Sequence, residues 1–302
     1  MSRFTLGMGI YGIENLFGGD PRAYLQVARQ AEQAGFQQLS ITDHVVMSDR
    51  TDRYPYGEFP APPEYPWFEP ITTLAAIAAV TERIELSQSI LISPLRSAVL
   101  LAKQAATLDV MSGGRVVLGL GTGWQREEYT ASQIPFSGRK KVMFEQIDAM
   151  KALWRDAPAS FHGETLQFEN MYSRPAPLRA GGIPCWVGVK ATEENCKLIA
   201  RSADGWIPIE KEPAEYGPGI KRLRQAFSDA GRDPDTLAVR AHVPTVMGSD
   251  GAPDLKASLP HIEQMLEVGV THVEILPIVY VREAAGLADF FASCVDAQRR
   301  YG

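Results

Sequence analysis

The sequence has few acids and bases in positions suited to catalysis. His44 follows Asp43 where a predicted strand ends, and it is the one histidine of the five that we place clearly at such an end. The others are predicted midway along a strand (His242), at the start of a strand (His272), in a helix (His261) and in a hairpin (His162). A hydrolytic metal site needs several histidines and carboxylates that converge. We therefore predict no metal site.

Two other hydrolytic chemistries also lack their residues. There is no GxSxG motif for a serine nucleophile, and only Glu14, Asp43 and Glu210 fall near strand ends as carboxylates for a glycosidase. One histidine beside one aspartate, among aromatic and aliphatic residues, suits a flat organic cofactor. Such a cofactor performs the difficult chemistry, while the protein supplies shape, hydrogen bonds and exclusion of water.

Gly188, Val189 and Lys190 form a second candidate element, directly before a predicted helix that begins near Thr192. Backbone N–H groups and the helix dipole at such a place attract a phosphate group. An ordinary glycine turn into a capped helix has the same spacing. The spacing alone leaves both interpretations open.

The elements that position these residues are arranged around residues 106–124, ATLDVMSGGRVVLGLGTGW. An amphipathic helix ends at Gly113-Gly114 and leads at once into a strand that is apolar on both faces, as in an α/β unit. Glycines 119, 121 and 123 resemble a dinucleotide loop, but Trp124 stands where GxGxxG needs its last glycine, and residues 124–128 show no obvious start of a phosphate-binding helix. We favour a strand end that needs close backbone approach.

The rest of the chain repeats this alternation. Each of eight predicted strands precedes a helix, which indicates an α/β protein with a (β/α)₈ TIM barrel and one domain over residues 1–302. The predicted strands are residues 4–10, 38–42, 83–92, 115–121, 184–189, 205–209, 238–247 and 272–278, and the helices are residues 20–34, 70–81, 97–111, 139–154, 192–203, 213–230, 255–268 and 282–300.

Two segments interrupt the alternation. Residues 45–69, after the second strand, are proline-rich and aromatic and much longer than an ordinary connection, so we predict an ordered lid. Residues 160–163 and 166–169 are predicted as a small hairpin between the fourth helix and the fifth strand. Because barrel function collects at the carboxyl ends of the strands, we expect the lid to help form the substrate pocket there.

Composition excludes several partners. The net charge of −6 argues against nucleic acid, and three cysteines without a CxxC spacing suit a reducing compartment. The first ten residues lack a signal-peptide pattern, and no apolar run is long enough to cross a membrane. We expect a cytoplasmic protein that acts on a small molecule.

A series of short motifs carries a family resemblance. They are AE at 31–32, AGF at 34–36, TDH at 42–44, AAVTERI at 78–84, LAKQAATLD at 101–109, SGGR at 112–115, LGLGTGW at 118–124, FHGE at 161–164, PCWVG at 184–188 and ADGW at 203–206. By these motifs the chain resembles the bacterial luciferase-like monooxygenase superfamily, and within it the branch that uses the deazaflavin coenzyme F420.

The resemblance implies roles for particular residues. A non-proline cis peptide bond that bulges against the cofactor ring would fall at Ser89-Ile90, with Asp43 and His44 near the reactive face. His44 would donate a proton or bind the flavin; a histidine packed under the lid is the alternative. Thr122 and Trp124 would line the site. Gly188, Val189 and Lys190 would hold the cofactor phosphate, with Lys211 as a further candidate.

The resemblance also implies an activity: hydride transfer between F420 and a small organic substrate. The alternatives are an FMN-dependent monooxygenase served by a flavin reductase, and a non-catalytic barrel that has lost its cofactor. Relatives form homodimers, for which residues 74–78 and 100–105 offer apolar faces, although packing onto the barrel explains the same pattern. Val189 replaces a second glycine of the phosphate loop, and Trp124 replaces a catalytic glutamate. We therefore do not expect sugar-phosphate dehydrogenase chemistry.

Overall fold

The computed structural model describes residues 3–302 and contains a closed barrel of eight parallel strands, as the sequence predicts. The ring closes where the third barrel strand pairs with the fourth. The barrel strands are β1 (Thr5–Gly9), β2 (Gln38–Ile41), β3 (Glu85–Gln88) with its short continuation β4 (Leu91–Ile92), β5 (Val116–Gly121), β8 (Cys185–Gly188), β9 (Gly205–Trp206), β10 (Ala238–His242) and β11 (His272–Ile275).

Helices surround the barrel, and an antiparallel hairpin lies outside it. The hairpin, β6 (Ala159–His162) and β7 (Gln167–Met171), lies where it was predicted. The helices are α1 (Ala23–Ala34), α2 (Pro70–Ala78), α3 (Ala98–Ser112), α4 (Arg126–Ala131), α5 (Arg139–Arg155), α6 (Glu193–Ser202), α7 (Pro213–Asp229), α8 (Leu255–Ser258), α9 (His261–Val268), α10 (Pro277–Tyr280) and α11 (Leu287–Tyr301).

The central α3–β5 unit forms as the sequence indicates. Gly113 adopts a left-handed conformation with φ of 76° and ends α3, because its N–H bonds the carbonyls of Asp109 and Val110. Asp109 then accepts the N–H of Val116 and so fixes the start of β5. All six residues of β5 are buried, which fits a strand covered on both faces.

Alternate glycines along and beyond β5 make room for the neighbouring third strand. A Cβ at Gly119 would stand 1.9 Å from the carbonyl oxygen of Gln88, and a Cβ at Gly121 would stand 2.5 Å from Cδ1 of Ile90. Gly123 faces Ile92 in the same way, at 3.0 Å. The glycine-rich sequence is therefore a strand end shaped for close backbone approach, as we favoured.

Several boundaries differ from the prediction. The predicted strand 83–92 is interrupted at residues 89–90, and the strand predicted for 238–247 ends at His242, so that histidine lies at a carboxyl end and the midway placement was wrong. A helix that was not predicted, α4, begins at Arg126, and the helix predicted for 255–268 is divided into α8 and α9. The break in the third strand falls at the cis Ser89–Ile90 bond. Pro260 separates α8 from α9.

The predicted dimer faces are largely used by the barrel itself. Leu74, Ile77 and Leu101 are fully buried, whereas Leu100 is exposed. Packing onto the barrel accounts for most of this apolar pattern.

Candidate active site

A cavity of about 630 Å³ opens at the carboxyl ends of the barrel strands. Residues from the ends of β1, β2, β4, β5 and β8 form its floor and sides, and lid residues 54–67 complete the wall. Of the residues predicted for the site, those that line it are Asp43, His44, Ser89, Ile90, Thr122, Trp124 and Gly188. The cavity is thus where barrel function was expected.

The Ser89–Ile90 peptide bond is cis, as expected, and both residues line the cavity. The Ile90 side chain occupies the space beside two glycines: ideal Cβ positions on Gly121 and Gly188 would lie 2.5 Å and 3.2 Å from its carbon atoms. The two glycines therefore make room for the Ile90 side chain at the floor of the cavity.

His44 is held by a glutamate that the sequence analysis missed. Its Nδ1 lies 3.3 Å from Oε2 of Glu128, whose Oε1 accepts the backbone N–H of Val45 at 2.6 Å. Both side chains are buried. An ionised carboxylate only accepts hydrogen bonds, so with Glu128 ionised Nδ1 carries the proton. Nε2 is then the ring nitrogen left for a proton transfer.

Glu128 belongs to the first turn of α4, together with Glu127. Two adjacent acids at the start of a helix are a usual dipole-favoured pattern and do not indicate a partner in sequence. The contact with His44 joins residues 84 positions apart. Only the folded barrel reveals it.

Asp43 is fully engaged in an ion pair. Its carboxylate accepts two hydrogen bonds from Arg96, at 2.6 and 2.9 Å, and one from the N–H of Ile92 at 2.8 Å. Burial raises the pKa of Asp43, while Arg96 and the Ile92 N–H act in the opposite direction. The side chain thus anchors the chain just beyond the bulge, although the residue also lines the cavity.

Aromatic rings of the lid surround His44. Trp67 contacts the imidazole edge-on at 4.7 Å and stacks on Tyr11 at 5.3 Å, with 16° between the planes. Phe59 lies 5.7 Å from the imidazole and 5.2 Å from Trp124. The lid is therefore an ordered aromatic wall, and it makes the cavity predominantly apolar.

Side chains fasten the lid at both ends. Near its start, Ser48 exchanges two hydrogen bonds with Gln125, and Arg53 pairs with Glu127 at 2.5 Å. Near its end, the Tyr65 hydroxyl donates to the buried Glu14 at 2.5 Å. These contacts fix the lid to the α4 side and to the β1 side of the barrel mouth.

Glu14 places a buried carboxylate beside several tyrosines. Burial, together with the nearby Glu14 charge, raises the pKa of Tyr11 to about 12 and also raises the pKa of Tyr24 and Tyr65. These phenols stay neutral at physiological pH and act as hydrogen-bond donors. Glu14 was expected near a strand end, but nothing in the sequence around it indicates its tyrosine partners.

Of the residues predicted to bind the cofactor phosphate, only some lie at the cavity. Gly188 lines it, whereas Val189 is buried and its carbonyl accepts the indole N–H of Trp206 at 2.7 Å. Lys190 and Lys211 are exposed and do not line the cavity. Within residues 3–302, neither ammonium group has an ion pair or a hydrogen bond, so both are available to an anion.

Two further properties concern residues 3–302 as a whole. Among them, no group of three or more histidine, cysteine, aspartate or glutamate side chains is arranged to hold a metal ion. None of the helices in this range has the length and apolar character needed to cross a membrane.

Comparison with known proteins gives one family match. Residues 6–273 match the family model for luciferase-like monooxygenases. The chain is 32% identical over 252 residues to the uncharacterized protein Rv0953c of Mycobacterium tuberculosis, covering 82% of this chain and 84% of the relative. It is also 30% identical over 173 residues to the pyrimidine monooxygenase RutA of Escherichia coli, covering 55% of this chain and 47% of RutA.

Solved structures give the same fold. The coenzyme F420-dependent tetrahydromethanopterin reductase of Methanopyrus kandleri superposes with a TM-score of 0.76, and the match covers the whole of both chains at 16% sequence identity. At that identity the similarity concerns the fold.

Proposed function

The chain belongs to the luciferase-like monooxygenase family, and on that premise we propose that it is an oxidoreductase that transfers a hydride between coenzyme F420 and a small organic substrate. One observation carries the proposal. A single cavity brings the cis Ser89–Ile90 bulge together with His44, whose Nδ1 is held by Glu128. This is the arrangement needed to support a flat redox cofactor and to move one proton beside it.

The cavity fits a cofactor of this kind. Its volume of about 630 Å³ lies within the usual range of small-molecule sites, and the Ile90 side chain, seated beside Gly121 and Gly188, would support one face of the ring. Lys190 and Lys211 supply unpaired positive charge on the side of the barrel where Gly188 enters the cavity. These groups would hold the ring and the phosphate respectively.

In this proposal the chain's own residues divide the work. When bound, F420 would supply two-electron hydride chemistry. His44 gives or takes a proton at Nε2, Glu128 holds the tautomer that this requires, and the aromatic lid excludes water from the reacting atoms. Asp43 and Arg96 fix the segment that follows the bulge, and therefore act on the site through its backbone.

An FMN-dependent monooxygenase is the second candidate, because the relative RutA is a monooxygenase. The same cavity would then hold reduced FMN, and a separate flavin reductase would supply electrons. The aromatic walls favour an apolar or aromatic substrate in either case. A homodimer and a cytoplasmic location stay predictions.

Titration of the purified protein with F420 and, in parallel, with FMN tests the proposal. The fluorescence of each cofactor reports its binding. We expect F420 to bind with a micromolar or lower dissociation constant, and FMN to bind at least about tenfold more weakly. The reverse preference would favour the monooxygenase. Binding of neither cofactor in either redox state would favour the non-catalytic barrel.

A further inference from the structure

A buried ionic cluster lies directly beneath the bulge, inside the barrel. Glu274 of β11 is 1% exposed, and its Oε2 accepts a hydrogen bond from the Ser89 hydroxyl at 3.2 Å. The other oxygen accepts the Ser40 hydroxyl. Because Ser89 also lines the cavity, one side chain separates a fully buried carboxylate from the proposed cofactor surface.

Arg240 of β10 holds the residue before Ser89. Its guanidinium donates to the Gln88 carbonyl and to the Ser87 hydroxyl, the latter at 2.8 Å. Its Nε has no hydrogen-bond partner and lies 3.8 Å from Oε1 of Glu274. Arg240 and Glu274 therefore hydrogen-bond to consecutive residues, Gln88 and Ser89, at the start of the cis bond.

His242 connects the cluster to solvent. Its Nε2 lies 3.2 Å from Oε2 of Glu274, and its side chain is 47% exposed at the carboxyl end of β10. Burial by itself raises the pKa of Glu274, but Arg240, His242 and the hydroxyls of Ser40 and Ser89 together hold it below its ordinary value. The lowered pKa favours the ionised carboxylate.

This arrangement exceeds what stability requires. A buried ion pair is at best a weak source of stability, because the desolvation of both charges offsets their attraction. Here each charge is directed at the backbone or hydroxyl of the bulge segment, and Gly119 leaves the space in which Gln88 and Arg240 meet. The cluster therefore positions the bulge segment at the cavity floor.

We propose that Glu274 is a positioning residue that acts on the bound cofactor through the Ser89 hydroxyl, with Arg240 and His242 holding the carboxylate in place. The inference rests on the proposed function. With Arg240 in place, removing the Glu274 charge alone favours the form that has accepted a hydride, because that form carries more negative charge. Glu274 would therefore lower the reduction potential of the bound cofactor.

The test measures dissociation constants of the oxidised and the reduced cofactor, using whichever of F420 and FMN the wild-type protein binds. The variants are Ser89→Ala, Glu274→Gln and the double variant. Glu169→Gln serves as the matched control, because Glu169 lies near a histidine, His162, on the exposed hairpin, at 3.7 Å. Thermal unfolding of each variant checks that it folds.

We expect Glu274→Gln to favour the reduced form by about tenfold in the ratio of the two constants, which is about +30 mV for a two-electron couple. Ser89→Ala should shift the ratio in the same direction, because it removes the hydroxyl that joins the Glu274 carboxylate to the cavity surface. In the Ser89→Ala background, the further effect of Glu274→Gln should shrink, because the connecting hydroxyl is gone.

Four results would overturn the inference. In the first, the dissociation constants of Ser89→Ala and Glu274→Gln both match those of the Glu169→Gln control. In the second, the effects of the two substitutions on these constants multiply independently, which would exclude Ser89 as the connection. Should Glu274→Gln fail to fold, Ser89→Ala alone decides, and an unchanged pair of dissociation constants would refute the role. If the wild-type protein binds neither cofactor, the proposed function fails, and this inference fails with it.

Discussion

At the scale of single residues, the contact between His44 and Glu128 orients the imidazole in the cavity wall. The lid backbone and the imidazole share one carboxylate, since Glu128 accepts both the Val45 N–H and His44 Nδ1. A histidine oriented by a carboxylate in this way is held in one tautomer and one direction. Loss of either partner should therefore affect turnover more than binding.

We predict that His44→Ala lowers kcat by about 100-fold or more, the usual contribution of a general acid or base, and changes the cofactor dissociation constant by less than about threefold. Glu128→Gln should lower kcat by about tenfold, because a neutral amide orients the imidazole less firmly than a carboxylate does. Steady-state kinetics across pH and a cofactor titration measure these effects.

Glu263→Gln is the matched control, because Glu263 also lies in the first turn of a helix, α9, but is exposed and does not line the cavity. Equal losses of kcat and cofactor affinity in His44→Ala would show instead that this histidine packs under the lid.

Local sequence could predict the residues that lie at strand ends. His44, Ser89, Ile90 and Trp124 were assigned to the site from motifs, and all line the cavity. Their roles stay predictions. Partners distant in sequence could not be predicted in this way, because Glu128, Arg96 and Glu274 become neighbours of the site only when the barrel closes.

At the scale of elements, the glycine spacing of β5 is a packing device. A strand presents alternate residues to the same side, and the glycines at 119, 121 and 123 therefore face successive parts of the interrupted third strand. The sequence predicted the strand and the need for close approach. It could not identify what approaches, because the neighbour comes from the previous βα unit.

We predict that Gly121→Ala weakens cofactor binding by at least about fivefold and lowers the free energy of unfolding by about 1 to 3 kcal/mol, as expected for overpacking. The new Cβ would lie 2.5 Å from Ile90 and displace the bulge. Cofactor titration and denaturant unfolding measure both effects. Gly181→Ala is the control, because a Cβ at that exposed glycine meets nothing within 4 Å. A Gly121→Ala protein that behaves like this control would contradict the packing role.

Elements without strong periodicity were predicted less well. Helix α4 is only six residues long, and no apolar pattern announces Arg126–Ala131. The start of this helix contributes to the fold, because it binds the lid through Gln125 and two glutamates. Because that function depends on contacts with the lid, the short sequence did not indicate it.

At the scale of the whole molecule, the alternation of eight strands and helices was enough to predict the barrel. The prediction succeeded because a parallel strand covered on both faces leaves few other arrangements. The interior of the barrel could not be predicted equally well. Arg240 and Glu274 are charged residues at positions where a core pattern predicts apolar ones.

Glu32 joins the first helix to the start of the third strand and gives the molecule a pH dependence. It accepts the N–H groups of Glu82, Arg83 and Ile84. Burial acts to raise the pKa of this carboxyl, but the three N–H groups lower it below 4.5. A lowered pKa means that the carboxylate stabilises the fold above its ordinary pKa, and that this contribution is lost as the pH falls through the folded value.

We predict that Glu32→Gln is less stable than the wild-type protein by about 1 kcal/mol at pH 7, a value already reduced for the solvent exposure of the group. The difference should shrink as the pH falls below about 4.5, because the wild-type carboxyl then becomes neutral too. Denaturant unfolding from pH 3 to 7 measures it. Glu193→Gln, which removes one exposed pair with Lys197, should show almost no difference, and a constant Glu32→Gln effect at every pH would contradict the assignment.

The lid forms a wall of the cavity and is attached separately from the cavity floor. Residues 45–69 are one continuous stretch between β2 and α2, whereas the cavity floor is built from β3, β4, β5 and β8. The fastenings of the lid are few and lie toward its two ends, at Ser48 and Arg53 and at Tyr65. A graft of residues 54–63 from another chain would thus exchange much of the cavity wall, including Phe59 beside His44, and leave the floor strands and the fastenings in place.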